Sequence, residues 1–139
     1  MVDPGRVRSL LDRLGEETRE LRRLAQMSPE ELRADPDRLS AVKYRFVVAL
    51  EVCIDIGEHI ISSQGLEAPK DFADTFSVLG SAAYVAPETV PTLQDMARFR
   101  NLLVHGYQRV DDDRVVEILR SRLDDLDAFR ASIAKALTD

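Results

Sequence analysis

The sequence predicts an all-α fold, a bundle of four main helices plus a short one. Three observations carry that expectation. Apolar residues recur at steps of three and four along most of the chain, and no segment shows the alternation of a half-buried strand. Hydrophobic residues make up 45% of the sequence and charged residues 32%, with glycine and proline at six each, a composition for folded and mostly helical protein. At 139 residues the chain fits one domain, 1–139, around one hydrophobic core.

Val7, Leu10, Leu11, Leu14, Leu21, Leu24 and Ala25 form a single stripe, which predicts a first helix from about Pro4 to Gln26. On its other face Arg6, Arg8, Arg13, Arg19, Arg22 and Arg23 alternate with Asp12, Glu16, Glu17 and Glu20, the pattern of a solvated face with helical ion pairs. Ser28-Pro29-Glu30-Glu31 is a capping box with proline at the first helical position; it opens a short turn that ends before Asp35-Pro36.

From Ser40 to about Ser63, Val42, Phe46, Val47, Ala49, Leu50, Val52, Cys53, Ile54, Ile56, Ile60 and Ile61 cover most of the circumference, so this helix is expected at the centre of the core. Its polar stripe, Tyr44, Glu51, Asp55, Glu58 and Ser62, keeps to one face. Three acids on one line need water or cationic partners: Glu51 and Asp55 either face a cation such as Arg100 and hold it, or form a solvated stripe.

Gly65 is the expected stop, and Asp71 caps a shorter helix carrying Phe72, Phe76, Val78 and Leu79. The segment Ala86-Pro87 to Val90-Pro91 turns the chain into a helix through Leu93, Met96, Phe99, Leu102 and Leu103, which Gly106 ends. After Asp111-Asp112-Asp113, the positions Val115, Ile118, Leu119, Leu123, Leu126, Phe129, Ile133 and Leu137 predict one long last helix with the acids at its positive end.

Composition also narrows function. A net charge of −6 argues against a general nucleic-acid coat, because nonspecific affinity for phosphate comes from excess Lys and Arg. From Thr92 to Val110, however, Arg98, Arg100 and Arg109 stand against Asp95 alone, a locally positive segment in an acidic protein. No apolar run is long enough to span a membrane, and MVDPGRVRSL has no apolar central region, so a secretory leader is not expected. The single cysteine, Cys53, reads as a small buried hydrophobe, and a reducing cytoplasm is the expected location.

The positive segment contains Arg100-Asn101-Leu102-Leu103-Val104-His105-Gly106-Tyr107. Asn101 and His105 are four apart and share a helical face, whereas Arg100 and His105 are about 140° out of phase and converge only if the helix unwinds at its end. Gly106 gives a reason to expect unwinding, since glycine readily takes the left-handed cap. Histidine can act as acid or base near neutrality, arginine grips a phosphate with two prongs, and asparagine orients either. Cleavage of RNA through its own 2′-OH needs proton transfer and charge stabilisation, and those residue types supply both. On spacing alone, a surface arginine and a helix-end histidine bonded to carbonyls are the preferred account of the pair, a buried amide accounts equally for Asn101, and a half-buried phenol is the preferred account of Tyr107.

The pattern R-x4-H-x-Y resembles the motif of the HepT-like ribonuclease toxins of the HEPN superfamily. YRFVVALEVCIDIGEHIIS resembles that family's second long helix, FRNLLVHGYQRVD its signature, and VVEILRSRLDDLDAF its last helix. The resemblance implies a HEPN-like bundle that forms a homodimer and cleaves RNA without a metal or other cofactor. It also implies a partner antitoxin of the minimal nucleotidyltransferase (MNT) type, able to transfer AMP to the motif tyrosine. Arg100 and His105 would then be catalytic, Asn101 supporting, and Tyr107 the modified hydroxyl. Cleavage wants both an acid and a base, and pairing two motifs across a two-fold axis would supply both.

Two other readings bear on the same residues. Asp55, Glu58 and His59 are adjacent on one helix, but a bundle carboxylate site wants a Glu-x-x-His on each of two helices, and this chain has no such pair. No metal is expected, and His59 reads as a satisfied residue at the edge of the core. The alternative to the ribonuclease is a noncatalytic helical module that binds a nucleotidyltransferase; an intact Arg and His beside a cleft is the feature such a module does not need.

Overall fold

The computed structural model describes residues 1–138, and they form helices joined by short turns. These are α1 (Pro4–Leu24), α2 (Pro29–Arg33), α3 (Pro36–Gln64), α4 (Phe72–Ser81), α5 (Val90–His105), α6 (Asp112–Ser121) and α7 (Leu123–Thr138). The bundle of four main helices plus a short one is present, with α1, α3, α5 and the α6–α7 pair as the long members and α4 as the short one. Among the described residues no helix is long and apolar enough to cross a membrane.

The central helix is α3, which packs against α1, α2, α4, α5 and α6. Its buried residues include Phe46, Ala49, Leu50, Val52, Cys53, Ile54, Ile56, Ile60 and Ile61, and burial pushes the Cys53 thiol above its ordinary pKa. The helix begins at Pro36, four residues before the expected start at Ser40. The reason is local: Asp35 caps it by accepting the Arg38 N–H at 3.1 Å, and Pro36 fills the first turn, where no N–H is needed. Gly65 ends it in the left-handed conformation, φ 63°.

The expected long last helix is two helices. Arg122, at φ −119° and ψ 2°, lies between α6 and α7, and the Ser121 hydroxyl bonds the Glu117 carbonyl at 2.7 Å, a local alternative to regular helix. Bending there lets Leu119, Leu123 and Leu126 all reach the core.

The α1 face is less solvated than its charge pattern suggests. Glu17 is 1% exposed. Its carboxylate accepts from Arg13 Nε at 3.0 Å and, through both oxygens, from Arg45 Nη1 of α3 at 3.1 Å. Arg22 crosses to Asp124 and Asp127 of α7, and Arg130 Nε donates to the Leu11 carbonyl at 2.9 Å. Cations of this face therefore tie helices together. Arg45→Ala leaves a buried carboxylate with Arg13 alone, and we expect a loss of about 2 kcal/mol. That is below the cost of stripping a buried charge completely, because one partner stays. Denaturant unfolding measures it.

Candidate active site

Helix α5 starts with proline in its first turn and turns Leu93, Met96, Ala97 and Phe99 into the core. Phe99 meets Phe46 of α3 edge to face, centroids 5.4 Å apart, which fixes the rotation of α5 against the central helix. That rotation decides where the two motif residues go.

Arg100 turns inward along α3 and α4. Its side chain is 12% exposed, Nη2 donates to Glu51 Oε1 at 2.7 Å, and Nη1 donates to Asn101 Oδ1 at 3.1 Å. Its guanidinium carbon stands 5.0 Å from the centroid of the Phe72 ring, a cation–π contact, and its Nε is buried without a partner. Glu51 is thus the acid that takes the cation. Asp55 shares the stripe but not the partner: partial burial, then the charge of Glu51, raises its carboxyl above the ordinary range against a weaker pull from Arg6. Glu58 is raised in the same way, by burial and then by Asp55.

Those two shifts give a pH dependence. A carboxyl with a raised folded pKa binds its proton more tightly in the folded state, so its stabilising effect is full below the ordinary value and is lost as pH rises through the folded one. The double variant Asp55→Asn, Glu58→Gln is therefore expected to gain thermal stability relative to the parent as pH goes from about 4 to about 7. Melting temperatures of both proteins across that range test it; a constant difference would contradict it.

His105 is the last residue of α5 and is exposed. Gly106 does end the helix, but not in the left-handed form: its φ is −111° and ψ 28°, its N–H bonds the Leu102 carbonyl at 2.9 Å, and a 3₁₀ turn, Tyr107–Arg109, follows. The turn is close-packed at this glycine: a Cβ would lie 2.8 Å from Leu102 Cδ1 and 3.2 Å from the Leu102 carbonyl oxygen, so a side chain there would make Leu102 shift. Because α5 stays helical through His105, the angular separation from Arg100 persists. The expected convergence of the guanidinium and the imidazole in one cleft does not occur within the chain.

What His105 does share is an open cleft of about 560 Å³ with Arg98, Asn101, Leu102, Gly106, Tyr107, Gln108 and Arg109. Asn101 belongs to both sides: its oxygen accepts from Arg100, which leaves its NH₂ to donate into the cleft. Tyr107 is 69% exposed and not half-buried. Arg98, Gln108, Arg109 and Phe72 had no assigned place in the site from sequence; the charge asymmetry of residues 92–110 included both arginines, and Arg98 lies two helical turns before His105. His59 is remote from all of this. Its Nε2 accepts the Asp3 N–H at 3.1 Å and lies 3.4 Å from the Ser63 hydroxyl, the satisfied role expected of it.

Residues 14–133 match the family model described as HepT-like, Ribonuclease HepT-like. A curated relative, the mRNA nuclease HepT of Shewanella oneidensis strain MR-1, is 34% identical over 79 residues, 57% of this chain; the match spans 59% of the relative's length. Among solved structures, the tri-AMPylated HEPN toxin of Shewanella oneidensis in complex with MNT antitoxin superposes with a TM-score of 0.85 at 23% identity, covering 93% of this chain and 96% of that one. The cytosolic protein of unknown function YutE from Bacillus subtilis gives 0.85 at 17% identity over 98% and 91% of the two chains. At such identities the likeness to both structures is one of fold.

Proposed function

The chain belongs to the HepT-like ribonuclease family, and from that premise we propose that it is a metal-independent endoribonuclease, the toxin of a toxin–antitoxin pair, acting in the cytoplasm as a single domain. The observation that carries this is His105, exposed at a helix end in a cleft that also holds the Asn101 amide and two arginines. One imidazole takes the proton of a 2′-OH as the oxygen attacks phosphorus. The departing 5′-oxygen takes a proton from an acid, leaving a 2′,3′-cyclic phosphate. Arg100, aligned by Glu51 and Asn101, stabilises the charge on the phosphorus oxygens.

A homodimer resolves what a single chain leaves apart. Two clefts facing across a two-fold axis bring an acid and a base, and two guanidiniums, to one phosphate. Mixing His105→Ala with Arg100→Ala protein tests this arrangement: verified heterodimers recover cleavage if the site is shared, and recover none if it is not.

The partner we propose is an MNT-type nucleotidyltransferase antitoxin, the kind present in the complex of the Shewanella toxin. The exposed Tyr107 hydroxyl would attack the α-phosphorus of ATP, forming a phosphodiester and releasing pyrophosphate and a proton. Bulk and negative charge beside His105 would then obstruct RNA. A noncatalytic module that only binds such a partner is the second reading, and the inward guanidinium of Arg100 is the observation in its favour. Total RNA incubated with the purified protein in chelator decides between them: new 2′,3′-cyclic ends support the ribonuclease, and intact RNA with retained partner binding supports the module.

A further inference from the structure

We propose that Arg98 and Arg109 form a phosphate-binding subsite that holds a single RNA strand next to the bond presented to His105, a task that Arg100 does not share. This rests on the ribonuclease reading above. Arg98, Asn101 and His105 fall on one stripe of α5, and Arg98 precedes His105 by about 10 Å of helix rise. The 3₁₀ turn then brings Arg109 into the same cleft.

The charges of Arg98 and Arg109 open onto the cleft, whereas the Arg100 guanidinium is held by Glu51 and Asn101 outside it. Arg109 makes no ion pair among the described residues, and Arg98 pairs only with Asp95, both side chains well exposed, a contact easily given up. Arg100 is paired with Glu51, does not line the cleft of its own chain, and is kept for the reacting phosphate in the dimer proposed above. No carboxylate lines it either, and the acids that follow are engaged elsewhere: Asp111 caps α6, Asp112 pairs with Lys43 at 2.8 Å, and Asp113 pairs with Arg33 at 2.5 Å. In a chain of net charge −6, a groove with two cations and no acid is where a polyanion settles. The exposed ring of Tyr107 in the same groove suits an unpaired base, which is why the strand is single.

Binding separates this subsite from catalysis. His105→Ala protein, which leaves the RNA whole, is titrated with a fluorescent single-stranded RNA over a salt series, alone and with Arg98→Gln, Arg109→Gln or both; Arg8→Gln on α1 is the matched change of charge elsewhere. Each subsite substitution is expected to lower the slope of log K against log salt by about 0.7, so that affinity changes roughly two- to threefold less between about 50 and about 200 mM salt. Arg8→Gln is expected to leave the slope alone. With His105 present, the same substitutions raise KM more than they lower kcat. Equal slopes throughout, or no binding by the His105→Ala protein, overturn the subsite even if the parent cuts RNA. Slopes that fall in a protein whose parent cuts nothing support the subsite and overturn the ribonuclease reading instead.

Discussion

In chelator, His105→Ala protein is expected to leave RNA intact that the parent cuts, with a loss of about 10²–10⁴-fold in rate, the usual worth of a positioned acid or base. Arg100→Ala is expected to lose about 10²–10³-fold, the usual worth of one group stabilising charge on the reacting oxygens. Neither loss should come from unfolding. His105 is exposed, so its truncation is expected to change stability by less than about 0.5 kcal/mol. Removing Arg100 leaves Glu51 unpaired, but that side chain is 45% exposed and can hydrate. Gel assays of both variants, with circular dichroism to show that they are folded, are sufficient. Undiminished cleavage by either variant would remove that residue from the proposed mechanism.

Phe46→Ala is expected to have the largest effect on stability, about 3–5 kcal/mol by the usual range for a buried phenylalanine. The ring is 0% exposed and packs edge to face on Phe99. A loss of that size is a large part of the 5–15 kcal/mol that holds a typical domain together. Because Phe99 precedes Arg100, the same ring also sets the angle at which α5 presents the motif. Denaturant unfolding gives the energy; a loss below about 1 kcal/mol would mean that α3 and α5 close the cavity by shifting.

Sequence made the helices legible because their apolar spacing is regular, and it marked residues 100–107 because the residue types there are unusual together. Two boundaries differ from the sequence pattern for local reasons. In sequence Asp35-Pro36 reads as the point before which a turn ends, although the same pair starts a helix when aspartate caps and proline fills the first turn. The break at Arg122 has no glycine or proline to announce it, and apolar periodicity runs through it undisturbed. In the site, Glu51 and Asp55 could not be told apart, because which acid meets Arg100 depends on how α3 and α5 cross. The conformation of Gly106 is equally hidden: its N–H bonds the Leu102 carbonyl and the chain passes into a 3₁₀ turn, which glycine's freedom permits but does not specify.

The pairing of α1 with α7, clasped by Arg22 and Arg130, has a consequence for biosynthesis. On the ribosome the first helix waits for the last one, and until α7 has emerged the core lacks Leu126, Phe129 and Ile133. The RNLLVHGY segment is therefore translated before the bundle can close. A nascent chain stalled short of α7 carries the whole motif and has no completed bundle to hold it.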